Sequence, residues 1–364
     1  MRWFGFGFNA FRQITGRVDE CSKGDDVSGV KVVNPTEIRC SVTGSGCTEI
    51  SGIRASWSRR ASLHLDGDHH VCSAHGAQPA DTRGCQSAVI TERHLILAFS
   101  DRVEAWEQDD KQKTPTWSMK LKPQQESSDS TIQLPLVAEG YIATTPPFYH
   151  CVAPQLKAKS LALGAKHAVL LSVTGAVHTW GLGSHGQLGH GSLTSEEEPK
   201  PVEALWGMSM SCVAAGGWHS VCISDGGDLY VWGWNESGQL GLPSQALRQS
   251  QKQSVQVASQ AEPAIDGDNE EVFISIQAFP ALLDLNPACD MTVASCGSRH
   301  TAAVTTKGDL YTWGWGEYGQ LGYQTSCSDE PLRVEFFTER QMCVADVVCG
   351  SWNTFAAVKD VDPV

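Results

Sequence analysis

The strongest constraint on this chain is a segment that it contains three times in one register. Gly164–Gly189 reads GAKHAVLLSVTGAVHTWGLGSHGQLG, Gly216–Gly241 reads GGWHSVCISDGGDLYVWGWNESGQLG, and Gly297–Gly322 reads GSRHTAAVTTKGDLYTWGWGEYGQLG. From His167, His219 and His300 the turn glycine falls eight residues on, at Gly175, Gly227 and Gly308. The tryptophan falls thirteen on, at Trp180, Trp232 and Trp313. Such a repeat means that each copy is one small unit, able to bury its apolar face only against its neighbours. The apolar runs inside each copy are too short for helices and are separated by glycine turns, so they read as strands of an all-β array.

The two ends of the chain complete each other. Val347–Val358 mimics the first half of a copy, with Asn353 at the histidine position. Near the other end, Phe4-Gly5-Phe6-Gly7 mimics Trp313-Gly314-Trp315-Gly316. A ring needs such sharing, because two ends in one sheet hide its edges. The expected fold is a single β-propeller over 1–364 made of four-stranded blades, with Phe4, Gly5, Phe6 and Gly7 closing the ring.

Spacing gives the blade count. Gly164 to Gly216 is 52 residues, Gly216 to Gly297 is 81, and Gly297 to Gly350 is 53. The excess of the middle interval is placed in 243–271, rich in Gln, Ser and acid, a composition that predicts an exposed, disordered loop. Upstream, Ile53–Ser58 with Asp66-Gly67 reads as a worn copy. Ser87–Thr91, Leu95–Phe99 and Val103–Trp106 read as strands of another. The polar stretch 107–131 is expected to be a second surface loop, with Trp117-Ser118-Met119 as an alternative strand inside it. The count is six, with room for a seventh copy in 15–52 or 107–150.

A net charge of −14 with no run of Lys or Arg disfavours direct binding to nucleic acid. The thirteen cysteines form no Cys-x-x-Cys pair, which points to reduced thiols and a nuclear and/or cytoplasmic protein. The start, MRWFGFGFNAF, lacks the apolar core of a signal peptide, and no stretch approaches a membrane span.

The Gly-x-x-His turn followed by Trp-Gly-x-x-x-x-Gly-Gln-Leu-Gly resembles the regulator of chromosome condensation repeat over 161–242 and 288–364. The resemblance implies a propeller, usually of seven blades. It also implies a chromatin-linked role, with a jumonji-C oxygenase acting on histone lysines as partner and a part in chromosome segregation. The founding member of the family exchanges guanine nucleotide on a small GTPase, which is the alternative function. That member's basic N-terminal tail has no counterpart here, and its exchange wedge aligns with no segment of this chain.

The chemistry-bearing residues fit a binding protein. His167, His219 and His300 recur once per blade, and a hydrogen bond within their own turn is the expected role. His64, Asp66, His69, His70, Cys72 and His75 make the most metal-like cluster, but the spacing is not that of a closed zinc site and the register makes it a hairpin turn. No metal or other cofactor is expected. His185 and His190 lie in a glycine loop. Trp-Gly-x-Gly leads into no helix, so it is no phosphate cradle. Trp180, Trp232 and Trp313 read as wedges between blades. No nucleophile with a base and no carboxylate pair is readable, so no enzyme is expected. The residue before each histidine varies while its neighbours do not: Lys166, Trp218, Arg299, Trp352, and Trp57 in the worn copy. These turn positions, with Trp234, Glu317 and Tyr318 from the loops after Trp-Gly, are the candidate partner-binding residues, being of types that dominate interfaces.

Overall fold

Residues 1–15, 29–38, 49–66, 69–74, 82–108, 114–121, 132–244 and 273–359 are described by the computed structural model of the chain. It opens with β1 (Arg2–Phe8) and β2 (Lys31–Glu37). The first blade is β3 (Glu49–Ala55), β4 (Arg60–Asp66) and β5 (His69–Ala74). The second is β6 (Ser87–Ile90), β7 (His94–Ala98), β8 (Arg102–Glu107) and β9 (Trp117–Lys120). The third is short: β10 (Leu136–Val137), β11 (Gly140–Ile142) and β12 (Tyr149–Cys151).

The three intact copies follow as four-stranded antiparallel sheets. The fourth blade holds β13 (Ala158–Leu163), β14 (His167–Ser172), β15 (Val177–Gly181) and β16 (Glu196–Pro201). The fifth holds β17 (Met210–Ala215), β18 (His219–Ser224), β19 (Leu229–Trp234) and β20 (Ile276–Leu283). The sixth holds β21 (Met291–Cys296), β22 (His300–Thr305), β23 (Leu310–Trp315) and β24 (Cys327–Arg333). Finally β25 (Cys343–Cys349) and β26 (Asn353–Lys359) join β1 and β2 in a seventh sheet, ordered β2-β1-β26-β25.

The described residues thus form seven sheets where the spacing counts six copies. The added one lies at 136–151, inside the region left open for it. Of the two expected surface loops, 107–131 contains β9, which completes the second blade; the remainder, at 109–113 and 122–131, lies outside the described residues, as does 245–271 of the other.

Apolar clusters sit between consecutive blades. Trp232 from the fifth blade packs against Val169 and Leu171 of the fourth, and Trp313 from the sixth against Val221 and Val231 of the fifth. The shared sheet packs on both sides. Phe6 and Val358 meet Val304 and Leu310 of the sixth blade, while Trp3 and Phe355 meet Ile50 and Ile53 of the first. Trp232 and Trp313 thus pack in the gaps between neighbouring blades.

The histidines correct their sequence reading. Each reaches the next blade, not its own turn: His167 Nε2 lies 2.9 Å from Ser220 Oγ, His219 Nε2 3.0 Å from Thr301 Oγ1, and His300 Nε2 3.0 Å from Thr354 Oγ1. Each hydroxyl in turn donates to a glutamine carbonyl of the preceding blade's loop: Ser220 to Gln187 at 2.8 Å, Thr301 to Gln239 at 2.7 Å, and Thr354 to Gln320 at 2.8 Å. A hydroxyl has one proton. With that proton given to the carbonyl, Nε2–H must be the donor to Oγ, so the imidazoles carry their proton on Nε2. The same carbonyls accept the wedge indoles, Trp232 Nε1 at 2.9 Å and Trp313 Nε1 at 3.0 Å.

This lock explains the Gly-x-x-His spacing. The histidine ring lies against the Cα of the glycine three residues earlier, and a Cβ on Gly164, Gly216 or Gly297 would overlap that ring. The shared blade keeps the register, with Asn353 opposite Gly7 as His300 is opposite Gly314. Gly7 has the φ of +112° that Gly314 has at +100°, and Phe6 fills the wedge position. The true counterpart of Trp313-Gly314-Trp315 is therefore Phe6-Gly7-Phe8, two residues later than the sequence match. Phe4 and Gly5 are buried members of β1.

Two glycines of the fifth blade separate the lock from ordinary turn flexibility. Gly216→Ala should cost more than about 2 kcal/mol, since a backbone-packed ring must move. Gly226→Ala meets atoms no nearer than 3.5 Å at a φ open to alanine, and should be neutral or gain about 0.4–1 kcal/mol. Urea unfolding of both variants measures the difference, and equal effects would remove the lock as the reason for the glycine.

Candidate protein-interaction face

In each well-kept copy one backbone hydrogen bond sets two side chains side by side. Leu182 N donates to Lys166 O at 2.8 Å, Trp234 N to Trp218 O at 2.9 Å, Trp315 N to Arg299 O at 2.8 Å, and Phe8 N to Trp352 O at 2.8 Å. The Trp-Gly glycine permits this approach: a Cβ on Gly181, Gly233, Gly314 or Gly7 would strike the carbonyl of the variable residue. Three residues further along, the loop adds His185, Ser237, Tyr318 or Phe11. Each donates its backbone N–H to the side chain of the loop glutamine, at 2.8, 2.9, 3.0 and 3.1 Å.

These side chains form an arc across five blades. The His185 ring lies 5.0 Å from Trp218 and 5.6 Å from Trp234, between centroids. The Arg299 guanidinium sits 4.6 Å from the centre of the Trp234 ring, within cation–π range. Trp315 meets Trp352 edge-on at 4.6 Å and Tyr318 at 5.1 Å. Tyr318 then meets Phe8 at 4.8 Å, Phe8 stacks on Trp57 at 6.1 Å, and Trp57 meets Phe11 at 5.4 Å. Aromatic pairs of this kind each contribute about 0.5–1.5 kcal/mol beyond burial, so the rings hold one another in place. Trp218, Arg299, Trp315, Tyr318 and Trp352 are half-buried, while Trp57 is 43% and Phe11 49% exposed.

The structure brings together most of the residues singled out in the sequence. Lys166 is exposed at the same register on the fourth blade, and Glu317 is exposed beside Tyr318. Next to Trp234, Asn235 is buried and spends its amide on Leu242 O and Ile274 O, both at 2.9 Å. Trp57 is offset by one. Ser56 N donates to Arg59 O as Gly216 N does to His219 O, so Arg59 holds the histidine position and Ser58 the variable one. Trp57 stands where Gly217 does, and it joins the arc because its exposed ring reaches Phe8.

Sequence reasoning missed Phe8, Phe11, Trp315 and His185 in the arc. It also missed Arg93, the variable residue of the second blade, whose carbonyl accepts Gln108 N at 2.7 Å. A signal existed for the first two: Phe6-Gly-Phe-Asn-Ala-Phe-Arg-Gln13 aligns without a gap on Trp232-Gly-Trp-Asn-Glu-Ser-Gly-Gln239. Arg12 even adopts the positive φ, 59°, of Gly238 at 77°.

Directly beneath the variable residues lie the lock histidines. Burial pushes His167 down to about 4 and His219 and His300 to about 3, from an ordinary 6.5. They are neutral at pH 7 and fit a structural role. Of the metal-like cluster, His64 is buried in β4. The side chains of Asp66, His69, His70 and Cys72, and all of His75, lie outside the described residues. Among the described residues no group of three or more His, Cys, Asp or Glu could hold a metal ion.

The small sheets, most of them in repeat register, define a β-propeller of repeated blades. The regulator of chromosome condensation repeat matches residues 174–223, 226–304 and 307–357, and a second model of the same repeat matches 158–187, 211–239 and 293–320. The chain belongs to the regulator of chromosome condensation repeat family. It is 41% identical over 387 residues to RCC1 domain-containing protein 1 of Mus musculus, covering 99% of this chain and 97% of that one. To the Homo sapiens protein of that name it is 42% identical over 382 residues, covering 97% and 96%. The crystal structure of Prp20p from Saccharomyces cerevisiae superposes with a TM-score of 0.69 at 16% identity, covering 99% of this chain and 92% of that one, which shows a common fold.

The neutral histidines make acid stability predictable. Above pH 6.5 the folded and unfolded histidines are both neutral and their contribution is complete. As pH falls from 6.5 toward 4 the unfolded chain takes up protons that the folded lock refuses, so stability drops by about 1.4 kcal/mol per pH unit for each histidine. Urea unfolding from pH 7 to 4 should show this slope, and His219→Gln should reduce it by one histidine's contribution. A flat profile between pH 7 and 5 would contradict neutral, buried imidazoles.

Proposed function

We propose that this propeller is a non-catalytic interaction module that docks a protein partner on the aromatic arc. The observation that carries the reading is the division of labour within each copy. The lock residues repeat, while Trp218, Arg299 and Trp352 stand on the same turns, free of the lock and half-exposed among rings held in place. Tryptophan and arginine in such settings are the usual anchors of interfaces. The family resemblance supports a chromatin-linked, nuclear setting, with a jumonji-C oxygenase acting on histone lysines as the partner and a part in chromosome segregation. The combined Trp218→Ala, Arg299→Ala, Trp352→Ala variant should still unfold cooperatively, with stability lowered only by the few ring contacts it removes, and lose about a hundredfold or more in affinity for a co-purifying partner. Retention of full affinity by the folded variant would place the interface elsewhere.

A second reading is nucleotide exchange on a small GTPase, favoured by the fold shared with Prp20p, which is described with its binding to Gsp1p and histones. Release of labelled guanine nucleotide from a panel of small GTPases should be accelerated if this reading holds. No acceleration at micromolar propeller would leave docking alone.

A further inference from the structure

Among the described residues the inter-blade lock is missing between the second and third blades, and an apolar cluster with Ile96, Val103, Ile142 and Phe148 packs the seam instead. His94 occupies the lock position: Thr91 N donates to His94 O at 2.8 Å, as Gly216 N does to His219 O. The third blade, with strands of two and three residues, faces it with Phe148, whose ring stands edge-on 5.0 Å away. Beside this ring contact lies a cavity of about 460 Å³, within the size range of ligand sites. Its walls include His94, Glu107, Trp117, Pro147, Phe148 and Tyr149. Trp117 and Phe148 lie 5.4 Å apart at 49°, so two aromatic faces are angled around the space.

The polar groups decide what the cavity can hold. Thr116 Oγ1 donates to Ala105 O at 3.0 Å and Tyr149 OH to Glu139 O at 3.2 Å, so both hydroxyl protons are spent. Glu107 keeps its carboxylate at the wall. Its ion pair with Arg93 is loose, at 3.6 Å, and the arginine side chain is 79% exposed, a geometry of little net strength. His94 has a buried Nδ1 with no hydrogen-bond partner, and burial holds the ring below its usual range, with Glu107 opposing and Arg93 adding to the effect. A neutral imidazole does not repel a cation. A carboxylate beside aromatic faces is the arrangement that a planar cation stacks on and forks into.

We propose that this cavity binds an alkyl guanidinium, the chemical class of an arginine side chain presented by a partner, with the guanidinium on Glu107 and its stem against Trp117 and Phe148. The site lies apart from the arc and stands without the docking assigned to it. The probe is n-butylguanidinium, with n-butylurea as its neutral isostere, titrated into the ¹⁵N-labelled full chain. The reporter is the indole N–H resonance of Trp117, assigned through Trp117→Phe. The guanidinium should shift this resonance at least about tenfold more tightly than the urea, and Glu107→Gln should erase that preference while leaving the urea's weak binding unchanged. The Trp218→Ala, Arg299→Ala, Trp352→Ala variant should bind as the parent does. Equal binding of the two compounds, an unmoved Trp117 resonance, or an unchanged preference in a folded Glu107→Gln protein would each overturn the proposal.

Discussion

The structure depends on one four-part contact, in which a histidine donates to the next blade's hydroxyl, the hydroxyl to a glutamine carbonyl, and a tryptophan indole to the same carbonyl. Every polar atom in it lies in the apolar seam between sheets, where an unmade hydrogen bond costs roughly 1–3 kcal/mol. The arrangement satisfies both lone pairs of the carbonyl and leaves the hydroxyl oxygen free to accept. It therefore sets the tautomer of the imidazole and the angle of the next blade in one step. Gly216 and its equivalents are glycine because the ring needs their Cα surface, and Gly233 and its equivalents because two loops touch there.

That chemistry shows why some of the fold was legible in the sequence and some was not. The three intact copies could be read because the lock demands glycine, histidine, glutamine and tryptophan at fixed distances, all within one short stretch. The worn copies escaped where substitutes fill the same positions. Arg59 stands for the histidine and Ser56 for the glycine in the first blade, which moved the apparent register by one and placed Trp57 where Ser58 stands. The third blade has no landmark, since β10 is two residues long and its seam with the second blade is held by an apolar cluster in place of the lock. At the N-terminus two Phe-Gly pairs compete. The ungapped match of Phe6–Gln13 to Trp232–Gln239 favours Phe6, and the pairing of Gly7 with Asn353 makes Phe6, and not Phe4, the wedge.

The arc was legible by half. Positions before the histidine vary and were picked out for that reason. The second row, Leu182, Trp234, Trp315 and Phe8, varies as much, but its place beside the first row comes from a hydrogen bond across the blade that local spacing does not reveal. Charge and composition say nothing of it, because Arg299 on Trp234 is a contact between two copies far apart in sequence.

The lock and the arc share one half of the molecule. Locks run from the fourth blade to the seventh, and the rings from His185 to Phe8 stand on the loops that those locks hold. This coincidence has a physical basis: a surface of aromatic side chains binds well only if its backbone is already ordered, because ordering each loop on contact would consume the binding energy. From the seventh blade to the third the lock is replaced piecemeal. Asn353 reaches Phe8 O, Ser58 leans on Glu92, and His94 meets the Phe148 ring edge-on. Those seams do not repeat one contact, and they are where a lining such as Glu107 beside Trp117 can diverge from the repeat without breaking it. One half of the propeller is constrained by its repeat and offers rigid anchors, and the other, released from that constraint, offers space.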